Sequence, residues 1–309
     1  MKKKILFSIT NLIGGGAEKI LLDTVKAMDK TKYDVYVFSL LNEGIYIEEI
    51  KKYATYFFAF DLEAYPERLR NYIRFLFLRY IKFSKKEKLY KKYVQGEYDY
   101  EIAFLEGPVT KIIAGSKSRT PKYAWVHVDL INLPDSNKYY RSKEEAKECY
   151  NFYNKILCVS SDVKTSFLKI YDVDEEKVQV QLNVLDTNKI LNSIKNVTEY
   201  KRQNPLNLIT VGRLSPQKGY DRLLKCCVRL KEDKLTFKLK IVGTGLLKDT
   251  YQKFIDDNKL NDCVELTGFI DNPYPLLKKA DLFVCSSLTE GFSTVVSEAI
   301  FLGTPVLTT

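Results

Sequence analysis

One histidine, His127, serves the whole chain of 309 residues, and its six cysteines (Cys149, Cys158, Cys226, Cys227, Cys263, Cys285) keep no metal-ligand spacing. The sequence therefore offers no Cys/His cluster for zinc. Cys158 and Cys285 lie inside apolar strand patterns and are expected as reduced, buried thiols of a cytosolic protein. No apolar run approaches the ~20 residues of a membrane-spanning helix. The start, Met1-Lys2-Lys3-Lys4 then Ile5-Leu6-Phe7-Ser8-Ile9, is basic then apolar. Its apolar run is too short for a signal peptide, and it leads into a glycine turn. That turn, Gly14-Gly15-Gly16, departs from G-x-G-x-x-G, so a nicotinamide site is a poor fit. No Asp-x-Asp stands in a loop suited to a metal, and Asp256-Asp257 falls on an expected helix.

Net charge is concentrated in one place. Of the net +10, residues 68 to 93 hold ten Lys/Arg against the single acid Glu87, which is +9 in one segment. The remainder is almost neutral, so the charge marks a local surface. Leu69, Tyr72, Ile73, Leu76, Tyr80 and Ile81 recur there at helical spacing, and Arg74 and Arg79 interrupt any spanning helix. Arg74, Arg79, Lys82, Lys85, Lys86 and Lys88 could meet an anionic membrane surface beside Phe75, Phe77 and Tyr80. A core-facing helix with a solvated lysine face fits the same pattern. Nucleic acid is not expected as a partner, because no binding module accompanies the charge.

What is abundant is alternation of apolar strands with helical patterns, which makes the chain α/β. Lys4 to Thr10 is the first strand, and Gly14-Gly15-Gly16-Ala17-Glu18 opens a helix. Later strands are expected at Tyr33–Leu40, Tyr53–Phe60, Tyr100–Leu105, up to His127, and at Lys155–Ser160, with Ser161-Asp162-Val163 capping the next helix. Asn196-Val197-Thr198 is formally a glycosylation sequon. A second set begins at Leu206–Val211 and ends in Gly212-Arg213, with Lys218 five residues on. Arg grips a diphosphate through paired N–H bonds and Lys adds a point charge. Gly243-Thr244-Gly245 is a turn where backbone can approach a base.

The densest stretch is Thr289-Glu290-Gly291-Phe292-Ser293-Thr294-Val295-Val296-Ser297-Glu298, after the apolar run from Ala280 to Cys285. Ser293 is expected to cap a helix whose start suits a phosphate. Glu298 then lies roughly 7.5 Å along the axis, about the distance from a phosphate to its ribose. Two solvated glutamates on a capped helix fit the spacing equally well.

As a set, these motifs resemble glycosyltransferase family 4: Glu-x7-Glu from Glu290 to Glu298, Gly-Arg-Leu-x-x-x-Lys-Gly at Gly212–Gly219, and the Gly-Gly-x-Glu loop. The resemblance implies a retaining, nucleotide-sugar-dependent enzyme of the GT-B fold, two Rossmann-like domains facing a cleft. It places residues 1–190 as the acceptor-side domain, 191–205 as the connection and 206–309 as the nucleotide-sugar domain. A UDP- or GDP-sugar would be the donor and a glycan or lipid-linked acceptor would receive the sugar, with no metal or cofactor. Arg213, Lys218 and the helix start at Gly291, Phe292, Ser293 and Thr294 would hold the diphosphate. Glu298 would take the ribose, Glu290 and His127 the sugar, and Gly243, Gly268, Phe269 and Ile270 the base. Gly14, Gly15, Gly16 and Glu18 would face the donor phosphate and acceptor. Val184 after Asn183 departs from the family's usual proline. The family also continues beyond a strand like Pro305–Thr309, so the second domain is expected to be incomplete here.

Three rivals share parts of the pattern. A glycoside hydrolase could use Glu290 and Glu298 as its carboxylate pair, but would leave Arg213 and Lys218 without a role. A sugar-nucleotide epimerase shares the fold and usually carries more histidines and acids. A non-catalytic fragment binding only nucleotide or membrane is the third.

Overall fold

The protein is described by a computed structural model over residues 1–132, 138–197 and 204–309. It divides into two compact units, Met1–Val184 and Leu185–Thr309. Each is a parallel sheet whose strands alternate with helices.

In the first unit the strands are β1 (Lys3–Ile9), β2 (Tyr33–Asn42), β3 (Thr55–Asp61), β4 (Tyr100–Ala103), β5 (Lys122–Val126), β6 (Lys155–Cys158) and β7 (Val178–Val180). They lie in the order β3-β2-β1-β4-β5-β6-β7. Ile5 to Ile9 are buried without a break, as expected of a strand covered on both faces. Helices α1 (Gly16–Ala27), α2 (Ile47–Lys51), α3 (Glu67–Phe83), α4 (Lys86–Tyr93), α5 (Pro108–Ile113), α6 (Lys143–Asn151) and α7 (Ser161–Ile170) connect them. Ser160, one residue before the expected cap, accepts the Val163 N–H and starts α7.

The second unit begins with α8 (Thr187–Ser193), then β8 (Leu206–Val211), α9 (Tyr220–Glu232), β9 (Phe237–Val242), α10 (Lys248–Asp257), β10 (Val264–Gly268), α11 (Tyr274–Lys278), β11 (Leu282–Cys285), α12 (Thr294–Phe301) and β12 (Val306–Thr308). Its strand order is β10-β9-β8-β11-β12. Leu239 and Ile241 join a core with α9 and α10, while Val242 and Phe283 join another with α11 and α12. Period-two alternation thus fills both faces. Ile190 is buried in the second of these cores, so the chain from Leu185 belongs with this unit. Of the expected connection, 191–193 end α8, and 198–203, with Thr198 of the sequon, fall outside the described residues.

Both sheets reverse their winding once, between β1 and β4 and between β8 and β11. Open α/β sheets keep ligands outside the carboxyl ends of strands at such a reversal. The loops after those four strands are therefore the places to look.

The basic segment differs from either simple expectation. It breaks at Ser84-Lys85 into α3 and α4, and the end of α5 packs into the break: a Cβ on Gly115 would stand 2.1 Å from the Lys86 carbonyl oxygen. Only Phe77 and Ile81 of α3 are buried, Phe77 stacking on Phe60 at 4.5 Å. Leu69, Tyr72, Leu76 and Tyr80 are exposed, so a core-facing stripe does not form there. Arg74 must be withdrawn from the expected membrane-facing set, because it turns inward to pair with Glu43 and bond Asn71.

Five of the six cysteines are buried and Cys226 is exposed. Burial pushes the thiols of Cys149, Cys158 and Cys227 up to about 12, and a thiol, unlike a thiolate, is a poor nucleophile. In the native protein one thiol should react rapidly with a disulfide reagent, and Cys226→Ser should remove that phase. A fast phase that survives this substitution would contradict the burial described here.

Candidate active site

At the reversal in the second sheet, the loop after β8 meets the loop after β11. Gly219 makes this possible: its φ is +61°, and a Cβ there would lie 2.2 Å from the Ser286 carbonyl oxygen. Arg222 donates to that same oxygen at 2.9 Å, and Ser286 Oγ donates to the Lys218 carbonyl at 2.9 Å. Gln217 joins the loops again, accepting the Leu288 N–H at 2.7 Å and donating to the Thr289 carbonyl at 2.9 Å. So fixed, Lys218 Nζ reaches Glu290 Oε1 at 2.5 Å, and Ser287 Oγ donates to the same oxygen at 2.6 Å. Both side chains of the ion pair keep about a fifth of their surface open, at 21% and 23%. Arg213, five residues before Lys218 in the same loop, is exposed and makes no ion pair among the described residues.

Three glycines lie side by side at the carboxyl ends of β8, β9 and β10. Gly243 N–H donates to the Gly268 carbonyl at 2.8 Å, and a Cβ on Gly243, at φ +142°, would stand 2.0 Å from the Gly212 carbonyl. The result is a shelf with no side chains of its own. Phe269 projects beyond it at 62% exposure, while Ile270 turns into the core of α11 and α12. Ser293 caps α12 as expected, accepting the Val296 N–H, and Gly291, Phe292 and Thr294 beside it are half-buried. Glu298, in the second turn, is 2% exposed and accepts the Tyr274 hydroxyl at 3.2 Å. The two glutamates thus differ: Glu290 is open and paired with a cation, Glu298 enclosed and held by a phenol.

At the reversal in the first sheet the loop after β1 carries Gly14, Gly15 and Gly16. Gly14 has φ +104°, and Gly16, which opens α1, has open space where a Cβ would point. Glu18 in the first turn of α1 is buried. Facing it from the loop after β4 is Glu106, whose Oε2 accepts the His127 backbone N–H at 3.0 Å. Burial pushes the Glu106 carboxyl above the usual range, and the charge of Glu18 adds to the shift. The His127 ring lies among Phe104 and Trp125, 5.0 and 5.9 Å away between centroids. Burial depresses its pKa to about 3, and Nε2 has no hydrogen-bond partner. His127 is therefore a neutral imidazole with one unmatched nitrogen. Asp129, in the same Trp-x-His-x-Asp run, serves the turn instead, bonding Ser166 at 2.6 Å and the Ile131 N–H at 2.9 Å.

Sequence reasoning missed Glu106, Ser287 and Tyr274. Ser287 stood three residues before Glu290, a reach a serine can make; Glu106 and Tyr274 gave no local signal. An Asp-x-Asp does occur, at Asp172-Val173-Asp174, in the stretch leading into β7 at the amino ends of the strands. Both carboxylates are engaged, Asp172 with Lys147 at 2.6 Å and Asp174 with the Glu176 N–H at 3.0 Å.

Comparison with known proteins follows the same division. Residues 14–189 match the model for Glycosyltransferase Family 4, and residues 193–309 that for Glycosyl transferases group 1. Among curated relatives is N-acetylgalactosamine-N,N'-diacetylbacillosaminyl-diphospho-undecaprenol 4-alpha-N-acetylgalactosaminyltransferase of Campylobacter jejuni. It is 27% identical over 99% of this chain and 80% of its own length. The putative colanic acid biosynthesis glycosyltransferase WcaL of Escherichia coli is 33% identical over 34% of this chain and 28% of its own. Among solved structures, Anabaena HepE in complex with UDP-glucose aligns with a TM-score of 0.73 at 19% identity. That alignment covers 99% of this chain and 80% of the other. The fold is GT-B, and the chain belongs to glycosyltransferase family 4.

Proposed function

We propose that the protein transfers a sugar from a nucleoside-diphosphate donor, with retention at the anomeric carbon, to a glycan or lipid-linked glycan in bacterial cell-surface polysaccharide synthesis. The observation that carries this reading is the Lys218–Glu290 pair at the sheet reversal, with Arg213 in the same loop as Lys218 and the shelf of Gly212, Gly243 and Gly268 adjoining. The relatives support it: one is named as a diphospho-undecaprenol glycosyltransferase, another for colanic acid biosynthesis, and HepE was solved with UDP-glucose. The enzyme would work in the cytoplasm without a metal, with an anionic membrane surface as a further partner. A hydrolase gains nothing from two cations, and their presence favours a departing diphosphate.

In this reading the anomeric C–O bond to the diphosphate breaks, its electrons leave on the diphosphate, and the acceptor hydroxyl oxygen bonds to the same carbon while its proton passes to the departing diphosphate oxygen. Arg213, Lys218 and the N–H groups at the start of α12 stabilise the charge that develops, usually the largest catalytic contribution. Lys218 is held by Glu290, and an arriving phosphate would compete for the same ammonium. Once phosphate takes Lys218, the carboxylate is released toward the sugar. Glu298, with one oxygen already held by Tyr274, receives the ribose. The first unit would receive the acceptor, with His127 there as a neutral group.

Arg213→Ala should weaken nucleoside diphosphate binding by about 1.5–3 kcal/mol, the scale of a hydrogen bond to a charged group. Lys218→Ala should cost less, because its ammonium must first leave Glu290. Calorimetry showing unchanged affinity in both variants would remove them from the site.

Glu298→Gln should weaken nucleotides with an intact ribose and spare pyrophosphate, since an amide cannot accept both hydroxyl protons at one site as a carboxylate does. Glu290→Gln should lower turnover and leave diphosphate affinity equal or higher, because Lys218 is then unopposed. Loss of bare nucleotide binding in Glu290→Gln would overturn this division of roles.

His127 also gives a pH signature. In the fold it stays neutral down to about pH 3, whereas the unfolded chain takes up a proton below the ordinary value of 6.5. Its contribution to stability is therefore full above 6.5 and is lost as pH falls toward 3. Glu106, whose folded pKa is raised, acts in the opposite sense, so the two are separated by substitution. Between pH 7 and 5 the parent should lose about 2 kcal/mol more than His127→Gln, at ~1.4 kcal/mol per pH unit. Urea unfolding followed by Trp125, the sole tryptophan, reads this directly. Equal losses would show that His127 is protonated in the fold.

A further inference from the structure

We infer that two copies of the chain pair along β3, antiparallel about a two-fold axis, so that their seven-stranded sheets continue as one. A terminal strand presents a row of unpaired N–H and C=O groups, and natural sheets keep such edges short, charged or bulged. Three of the four sheet edges here follow that rule. β7 and β12 are three residues each. β10 carries Glu265, which meets Lys240 at 3.1 Å, and its register breaks between Leu266 and Gly268. β3 uses none of these devices. It runs seven residues, Thr55-Tyr56-Phe57-Phe58-Ala59-Phe60-Asp61, without Lys, Arg or Pro, and its register with β2 does not shift. Among the described residues no main-chain group of β3 bonds outside its own ladder.

The strand is not covered by its own unit. None of its residues is fully buried, and Phe58 is 43% exposed. Phe57 is anchored against Phe38, with ring centres 5.3 Å apart, whereas the Phe58 ring meets only that of Tyr56, at 6.2 Å. A hollow of about 460 Å³ opens between the strand and the end of α4, lined by Tyr36, Phe57, Phe58, Tyr93 and Tyr98. An aromatic hollow beside an unpaired strand is a seat for another strand.

The strand's own sequence selects the occupant. A two-fold contact repeats itself, so the same strand of each copy must run antiparallel to its mate. An axis at Phe58 sets Phe58 opposite itself, Tyr56 opposite Phe60, Phe57 opposite Ala59 and Thr55 opposite Asp61. One face then joins aromatic to aromatic, and the other sets a large ring against a methyl. The ends match in charge as well. Lys92, which lines the hollow with Thr55, lies over the Tyr80 and Tyr93 rings and meets no carboxylate among the described residues. Asp61, at the far end, accepts from the Asn42 amide and the Glu63 N–H, each at 3.1 Å, and meets no cation among them. Antiparallel pairing lays the Lys92 end of each copy on the Asp61 end of the other, twice over. This self-complementarity favours a second copy over a strand of another protein. The carboxyl ends of the strands, with each copy's Gly14–Gly16 loop, point to opposite rims of the joined sheet, so the contact obstructs neither. The inference needs neither donor nor acceptor, and its failure would leave the transfer reading standing.

The test is sedimentation equilibrium of the full chain over a dilution series, with no sugar nucleotide. Physiological salt is used, so that the net +10 of each copy is screened. The parent should show a reversible monomer–dimer equilibrium. Phe58→Lys, which plants a charge on the edge without emptying the core, should leave monomer alone. Val180→Lys, the same change at an exposed site on β7, should associate as the parent does. Melting curves and affinity for UDP or GDP should match the parent in both variants. In a Cys226→Ser background, Phe58→Cys should form a disulfide-linked dimer under oxidised glutathione. Thr55→Cys and Asp61→Cys should cross-link with each other when mixed and not when alone. A chain that stays monomeric at every concentration would overturn the inference. So would a dimer that survives Phe58→Lys, which would put the contact on another surface, such as the exposed side of α3. A dimer in which neither Phe58→Cys nor the mixed pair cross-links would contradict the antiparallel pairing.

Discussion

The close passage of Gly219 beneath the Ser286 carbonyl is the constraint on which the second unit's site depends. At 2.2 Å from where a Cβ would stand, it leaves no room for any side chain. It brings a loop rich in cations onto a loop bearing a carboxylate, and backbone-directed bonds from Gln217, Arg222 and Ser286 fix them there. Without that passage Lys218 and Glu290 would be unrelated residues 72 positions apart. With it they form a charge pair that an incoming anion must divide.

On the proposed reading, the pair would let one small site receive a charged ligand without collapsing around its own cations. A part-buried pair of this kind contributes little net stability, because desolvation offsets much of its attraction. On that reading a diphosphate, with two negative groups and further N–H partners, would outcompete it and free Glu290 toward the sugar.

Much of this was legible in the sequence because it follows short periods. The buried run Ile5–Ile9, the cap at Ser293 and the strand before Glu290 all came from short apolar runs and capping chemistry, and the structure places each within a residue or two. What was not legible depends on contacts distant in sequence. The inward turn of Arg74 depends on Glu43, 31 residues away, and the break between α3 and α4 on the approach of Gly115. The burial of His127 depends on Phe104, and the enclosure of Glu298 on Tyr274, 24 residues earlier. Helical spacing showed that α3 has an apolar stripe; only the packing of Phe77 and Ile81 showed that the stripe faces outward.

Hydrogen–deuterium exchange with and without UDP or GDP tests the central claim most directly, because it reports where a nucleoside diphosphate is held. Peptides spanning 212–219 and 286–298 should be protected together, with weaker protection around Gly243 and Gly268, since backbone N–H groups at these loops and at the α12 start would be covered by the ligand. Saturable binding that protects neither loop, or protects only the first unit, would contradict a donor site at the sheet reversal of the second.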